Sequence, residues 1–160
     1  MGGFSEASLQ ALRIAQEKDD LWDSNLAKLA GYQFIDLLRN LRPNYKTVVG
    51  LGAVGCQLAS AVAMPQINNP LPVDWAWADL NKYGIPELSR PLARGQVVIV
   101  SGVMLPDHQL SSLVHQIRDG GANVRDMGVV IGEQWPPFGH PATANALGVT
   151  VHSLVRAPIA

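Results

Sequence analysis

The chain has 160 residues and a formal net charge of −1, from 12 basic and 13 acidic side chains. That balance argues against a surface built to bind nucleic acid. Hydrophobic residues make up 48% of the chain, which is enough for a substantial core. No apolar run is long enough to span a bilayer and no signal-peptide pattern opens the chain, so we expect no membrane partner. The single Cys56 excludes an internal disulfide and favours a reducing, cytoplasmic location.

The first part of the chain is predicted to be helical. Residues 1–22 are expected to form an N-terminal helical extension of a single domain that spans residues 1–160. A longer amphipathic helix is predicted over about 24–41, where one apolar stripe recurs at helical spacing. Lys46 to Val49 then predicts a short buried strand.

A glycine pattern follows this strand directly. Gly50, Gly52 and Gly55 spell G-x-G-x-x-G before a helix of small residues. Glycines let backbone N–H groups approach an anion, and a helix N-terminus adds partial positive charge. The candidate phosphate-binding residues here are Gly50, Leu51, Gly52, Ala53, Val54 and Gly55. The other interpretation of the same pattern is a tight strand–helix turn that binds nothing.

The segment after the glycine motif predicts a further strand and an irregular stretch. Val73 to Ala78 has strand character and places Trp75 and Trp77 on the same side. Asp79 follows as the acidic residue that a dinucleotide-binding pattern requires, although it lies farther on than the usual spacing of about 20 residues. Asn81 to Arg94 contains glycine and prolines and is expected to be irregular.

One strand–helix–strand unit dominates the second half. Val97 to Val100 are four β-branched residues, typical of a strand buried on both faces of a parallel sheet. After Ser101-Gly102 a helix is predicted, with Asp107 as its candidate N-cap. Its apolar residues recur at helical spacing: Leu110, Leu113, Val114 and Ile117. Gly120-Gly121 ends this helix and Ala122 to Ile131 predicts the next strand. In open parallel sheets, ligands bind at the loop that follows such a strand.

The last part of the chain completes a doubly wound fold. Trp135–Pro141 (Trp-Pro-Pro-Phe-Gly-His-Pro) is incompatible with a helix or a central strand, and is interpreted either as a rigid partner-binding loop or as a packed lid. Ala142 to Leu147 predicts a short helix and Val149 to Leu154 a last strand. The predicted fold is α/β, with a mainly parallel five-stranded sheet and helices on both faces.

From about Ser24 to its end the chain resembles the type I phosphoribosyltransferases, most of all the orotate phosphoribosyltransferases. The resemblance is carried by residues in register with that family: the glycine loop, Gly95, Val97 to Val100, Val103, Leu110 and the Gly-Ala pair that ends the helix. It implies that the glycine loop binds pyrophosphate, and that an acidic pair ends the central strand. It also implies that the next loop cradles the 5-phosphate of phosphoribosyl pyrophosphate, and that the protein is a homodimer.

The residues that carry the family's chemistry do not match. The acidic pair falls on Ser101 and Gly102, and a lysine of the pyrophosphate loop falls on Val54. The phosphate cradle falls on Leu105, Pro106, Asp107, His108 and Gln109. Of the family's flexible catalytic loop, which carries paired basic residues, Asn81 to Gly84 is the nearest remnant, and only Lys82 is basic. The hood before the core has no clear counterpart.

Together these departures predict a phosphoribosyltransferase-like pseudoenzyme that acts as a nucleotide- or phosphate-binding module or as a protein-interaction module. One alternative is an active transferase with an atypical site, in which Lys82, Asp79 and Asp107 take over the lost roles and Mg²⁺ is required. Another is a small dinucleotide-binding protein that uses the glycine loop with Asp79. No resident cofactor or metal is expected otherwise.

Overall fold

The structure is a computed structural model that describes residues 24–41, 45–63, 73–102, 104–131 and 141–155. Three parts of the sequence interpretation lie outside the described residues: the predicted extension over 1–22, Val103, and residues 135–140 of the Trp135–Pro141 segment. Four helices are described: α1 (Ser24–Leu41), α2 (Gly52–Ala63), α3 (Asp107–Asp119) and α4 (Pro141–Ala146). Six strands accompany them: β1 (Thr47–Leu51), β2 (Asp74–Leu80), β3 (Pro86–Leu88), β4 (Gln96–Ser101), β5 (Asn123–Ile131) and β6 (Thr150–Val155).

The strands form one sheet in the order β3-β2-β1-β4-β5-β6. All neighbouring pairs are parallel except β2 and β3, which pair antiparallel. The prediction of five strands was therefore one short, because β3 lies within the stretch expected to be irregular. Pro86, which argued against a strand, is tolerated because it is the first residue of an edge strand.

The sheet order alone matches the usual 3-2-1-4-5-6 order of dinucleotide-binding folds. The direction of β3 does not match, because a parallel strand needs a long crossover connection whereas β2 and β3 form a hairpin. The connection of β2 to β3 therefore separates this topology from the dinucleotide-binding one, even though the strand order agrees.

Two apolar layers cover the two faces of the sheet. α1 and α2 pack on one face through buried residues such as Phe34 and Leu58. α3 packs on the other, and its predicted stripe of Leu110, Leu113, Val114 and Ile117 is buried as expected. The doubly wound α/β architecture is thus confirmed.

Two close backbone approaches show how tightly α1 is held. A Cβ on Gly31 would lie 2.8 Å from the Cβ of Ala61 in α2, and a Cβ on Gly128 of β5 would lie 2.7 Å from the ring of Phe34. Both glycines are therefore required by packing, since any side chain would push α1 away from α2 or from the sheet.

Candidate functional site

The candidate site residues gather at the carboxyl edge of the sheet. β1 lies between β2 and β4, with Gly50 opposite both Trp77 and Val100. The glycine turn after β1 therefore lies between the end of β2, where Asp79 is located, and the end of β4, where Ser101 is located. The structure thus brings together the segments that the sequence singled out.

The glycine segment is a direct passage from strand to helix. Gly50 and Leu51 belong to β1, and α2 begins at Gly52. The prediction that residues 50–55 form a loop is therefore wrong, because no loop separates the strand from the helix. A Cβ on Gly50 would lie 1.8 Å from the carbonyl oxygen of Gly55, and a Cβ on Gly55 would lie 2.8 Å from the carbonyl carbon of Gly50. Gly52 has a φ of 70°, which disfavours other residues. Packing and turn geometry therefore account for all three glycines.

The remaining residues of this segment supply little chemistry. Leu51 and Val54 are buried, so the position of the family's lysine is occupied by a core residue. Ala53 lies in the first turn of α2. The turn therefore offers only backbone groups to an anion.

Asp79 of β2 acts electrostatically on Cys56, the fifth residue of α2. Burial raises the pKa of the half-buried Cys56 thiol, and the negative charge of Asp79 raises it further. A thiolate at this helix start is therefore disfavoured, and Cys56 lacks the lowered pKa of reactive cysteines. The same carboxylate opposes a second negative charge at the glycine turn, which weakens the expected pyrophosphate site.

The end of β4 is part of the core. Ser101 is fully buried, its hydroxyl has no hydrogen-bond partner, and Gly102 is buried as well. Neither residue can hold Mg²⁺ or a ribose hydroxyl through a carboxylate. No carboxylate occupies the two positions where the family resemblance places the acidic pair.

The segment that would cradle a phosphate is partly buried and partly bonded. Leu105 is buried in the core under α3. Pro106 lacks an N–H, and its carbonyl accepts the N–H of Gln109 at 3.0 Å. Asp107 and His108 are exposed in the first turn of α3. Pro106 precedes the helix and Asp107 is its first residue, so the prediction of Asp107 as N-cap was displaced by one residue. The exposed Asp107 carboxylate makes this helix start unfavourable for a phosphate.

The remnant of the catalytic loop is a closed turn. The side-chain Oδ1 of Asn81 accepts the backbone N–H groups of Tyr83 at 2.9 Å and Ile85 at 3.0 Å. The backbone of Asn81 bonds to Ile85 and Gly84, both at 2.9 Å. Lys82 is exposed, with its Nζ 5.0 Å from the centroid of the Tyr83 ring. The role of Asn81 was missed by sequence reasoning, although Asn is a favoured residue in such turns.

A second polar pair lies away from this edge and was also missed. His152 of β6 and Asp126 of β5 are joined by a 2.8 Å contact between Nε2 and Oδ1, and Asp126 is buried. The two residues are 26 positions apart, so no sequence spacing indicates the pair. Among the residues the structure describes, no group of three His, Cys, Asp or Glu side chains is placed to hold a metal ion. Within those same ranges, no helix is long and apolar enough to cross a membrane.

Comparison with known proteins identifies the fold. No protein-family model and no curated protein matches the chain. Among solved structures, orotate phosphoribosyltransferase from Aeropyrum pernix is similar at a TM-score of 0.66 and 16% identity, over 84% of this chain and 73% of that one. Orotate phosphoribosyltransferase of Mycobacterium tuberculosis, in complex with 5-phospho-α-D-ribosyl 1-diphosphate, is similar at a TM-score of 0.59 and 19% identity. The match covers 92% of this chain and 87% of that one. An adenine phosphoribosyltransferase is similar at a TM-score of 0.59 and 14% identity, over 78% of this chain and 79% of that one. This protein therefore has a type I phosphoribosyltransferase-like fold.

Proposed function

We propose that this chain uses the phosphoribosyltransferase-like fold as a protein-interaction module and does not transfer phosphoribosyl groups. The observation that carries the proposal is the end of β4. Ser101 and Gly102 are buried where the family resemblance places two carboxylates, so the group that would steady the ribose and its Mg²⁺ is absent.

The other parts of the site support the same conclusion. Catalysis of phosphoribosyl transfer needs positioned charge around a highly anionic substrate. Here Val54 is buried where a lysine is expected. Asp107 is the first residue of α3, and Asp79 of β2 is close enough to Cys56 of α2 to raise the pKa of its thiol. The remaining cation, Lys82, is located on a turn that four hydrogen bonds hold closed. A mobile loop that brings basic residues to the substrate is therefore not available from this hairpin.

The alternative of an active transferase makes a different prediction from the same residues. In it Lys82, Asp79 and Asp107 bind Mg²⁺ and substrate. We expect no pyrophosphate release from phosphoribosyl pyrophosphate and Mg²⁺ with orotate, uracil, adenine or hypoxanthine as acceptor. A saturable rate above the blank that is lost in Lys82→Ala would contradict the proposal and favour this alternative.

Ligand binding can be separated from catalysis by thermal denaturation. A ligand at a hundred times its Kd stabilises a protein by about 2.7 kcal/mol, which shifts Tm by several degrees in a domain of this size. We expect no shift with phosphoribosyl pyrophosphate, ribose 5-phosphate or uridine monophosphate, with or without Mg²⁺. A Mg²⁺-dependent shift would show a retained phosphoribosyl site and overturn the assignment as an interaction module.

A dinucleotide site is a second candidate, favoured by one observation. Asp79 lies near the end of β2, next to the glycine turn after β1, which is where an acidic residue binds the ribose in dinucleotide-binding folds. The hairpin connection of β3 and the close contact of Gly50 with Gly55 do not favour it. A Tm shift with NAD or NADP in the absence of Mg²⁺, lost in Asp79→Ala, would establish this candidate.

A further inference from the structure

The exposed apolar surface of the described residues is concentrated in one hairpin. The described residues include five large hydrophobic side chains that are exposed to solvent. Of these five, only Tyr32 lies outside the β2–β3 hairpin. The other four are Trp77, Leu80, Tyr83 and Ile85. Clustered exposed apolar side chains mark interaction surfaces more often than scattered ones do.

One side of this hairpin combines two aromatic rings with two carboxylates. Trp75, Trp77 and Asp79 alternate along β2 and therefore share one side of the strand, while Ala76 and Ala78 between them are buried on the other. Glu87 of β3 lies directly opposite Asp79. We call the surface of Trp75, Trp77, Asp79 and Glu87 the hairpin face.

The two rings form a continuous aromatic surface. The centroids of Trp75 and Trp77 are 5.6 Å apart and the ring planes are tilted by 39°. Trp75 is packed partly against the core of α1 and α2, whereas 38% of Trp77 is exposed. The inner ring therefore anchors the outer one, so that Trp77 presents its surface without losing its position.

The two carboxylates leave the hairpin face negatively charged. Like charges directly opposite each other on an antiparallel pair are unfavourable, and among the residues the structure describes no cation forms an ion pair with Asp79 or Glu87. Glu87 accepts a hydrogen bond from the side-chain N–H of Asn81, at 3.1 Å. The nearby Arg90 is already engaged by Asp74 and by the carbonyl of Trp75, both at 2.7 Å. A cation supplied from outside would relieve the repulsion.

Strand addition at the edge of β3 does not account for this surface. Pro86 has no N–H to offer an added strand, and its carbonyl already accepts a hydrogen bond from the side chain of Gln116 in α3. The edge of β3 is therefore closed at this residue, so a partner would approach the hairpin face through side chains.

We propose that the hairpin face binds an arginine-bearing, basic segment of a partner protein. A guanidinium stacks on tryptophan rings and is more weakly hydrated than an ammonium, so it matches Trp77 better than lysine does. Its planar set of N–H donors also matches carboxylates in pairs, as Asp79 and Glu87 provide. This inference rests on the proposed function, since it names the partner chemistry of the interaction module.

The probe is a fluorescently labelled peptide of alternating arginine and glycine, titrated with the full chain and followed by anisotropy. We expect saturable binding at 50 mM salt that weakens at least tenfold at 500 mM, because the contact is between exposed charges. The same peptide with lysine in place of arginine should bind several-fold more weakly. Labelling the peptide keeps the readout independent of the tryptophans outside the hairpin.

Matched variants locate the contact. Trp77→Ala is expected to weaken binding about five- to tenfold, and the double variant Asp79→Asn with Glu87→Gln at least tenfold. Tyr32→Ala removes the exposed aromatic residue of α1 and should leave binding unchanged. Far-UV circular dichroism and urea unfolding of each variant separate a lost contact from a lost fold.

Two results would overturn the inference. One is the absence of saturable arginine–glycine peptide binding by the folded chain at millimolar concentration; the other is binding that neither hairpin variant weakens. Either leaves the proposed function standing if pyrophosphate release is also absent. Pyrophosphate release above the blank instead contradicts the proposed function itself, whatever the peptide does.

Discussion

The contact between Gly50 and Gly55 allows a sharp test of how β1 and α2 are joined. In Gly50→Ala the added Cβ would start 1.8 Å from the carbonyl oxygen of Gly55, whereas carbon–oxygen contacts of this kind lie at about 3.3–3.6 Å. The helix must therefore move about 1.5 Å from the strand. Val54, Leu58 and Val62 of α2 are fully buried. Since a gap of about 0.5–1 Å already forfeits a quarter to a half of a dispersion contact, most of the packing under α2 would be lost.

We expect Gly50→Ala to lower the free energy of unfolding by about 4 kcal/mol or more, at the upper end of single substitutions. Urea unfolding followed by circular dichroism measures this change. Gly84→Ala is the matched control, because Gly84 has a φ of 72° and nothing within 4 Å of an added Cβ. It should lose only the about 1–2 kcal/mol of left-handed backbone strain. If Gly50→Ala is no less stable than Gly84→Ala, the strand–helix contact is not as described and the glycine motif needs another explanation.

Three further substitutions test individual polar groups. Ser101→Ala removes a buried hydroxyl with no hydrogen-bond partner. The free energy of unfolding should stay within about 0.5 kcal/mol of the unsubstituted protein's or rise. A loss of more than about 1 kcal/mol, on the order of one hydrogen bond, would show that the hydroxyl is bonded. His152→Ala leaves the buried Asp126 carboxylate without that hydrogen bond and should cost about 1–3 kcal/mol by urea unfolding; an unchanged midpoint would contradict the role given to the pair. Asp79→Asn removes a negative charge that raises the pKa of Cys56. The thiolate of Cys56 becomes easier to form, so the pH midpoint of its alkylation by iodoacetamide should fall. Burial should still keep that midpoint above the midpoint of an exposed cysteine. An unchanged midpoint would show that Asp79 is too far from Cys56 to affect its pKa.

The sequence predicted those parts of the fold in which local pattern and burial agree. The β-branched run of Val97 to Val100 and the stripe from Leu110 to Ile117 each have a single interpretation, and the structure confirms both. β3 was missed because it has only three residues, begins with Pro86, and exists through its pairing with β2. The pairing is a local hairpin closed between Asn81 and Ile85, but three residues are too few to show the alternating pattern from which a strand is predicted.

The glycine motif shows why a site is harder to predict than a fold. The motif was correctly predicted to lie where a strand passes into a helix, although Gly50 belongs to β1 and Gly52 and Gly55 belong to α2. The same spacing suits an anion site and a tight packing contact. The choice depends on atoms from other elements, namely the contact of Gly50 with Gly55 and the charge of Asp79 beside α2. Neither can be read from the spacing of the glycines.

The carboxyl edge of the sheet has the fold of a phosphoribosyltransferase, but several of its residues at the site positions are buried. A phosphoribosyl site needs charged groups that reach solvent near the ends of β1 and β4. Val54, in the first turn of α2 after β1, and Ser101, at the end of β4, are both wholly buried. A lysine at position 54 or a carboxylate at position 101 would have to be desolvated within the core, which costs several kcal/mol without a partner. The core therefore extends to the edge where the site would be, which supports the proposal that the chain does not transfer phosphoribosyl groups. Four of the five large exposed hydrophobic side chains of the described residues lie instead on the β2–β3 hairpin, together with Asp79 and Glu87. The hairpin face is therefore the surface on which we propose that this protein binds its partner.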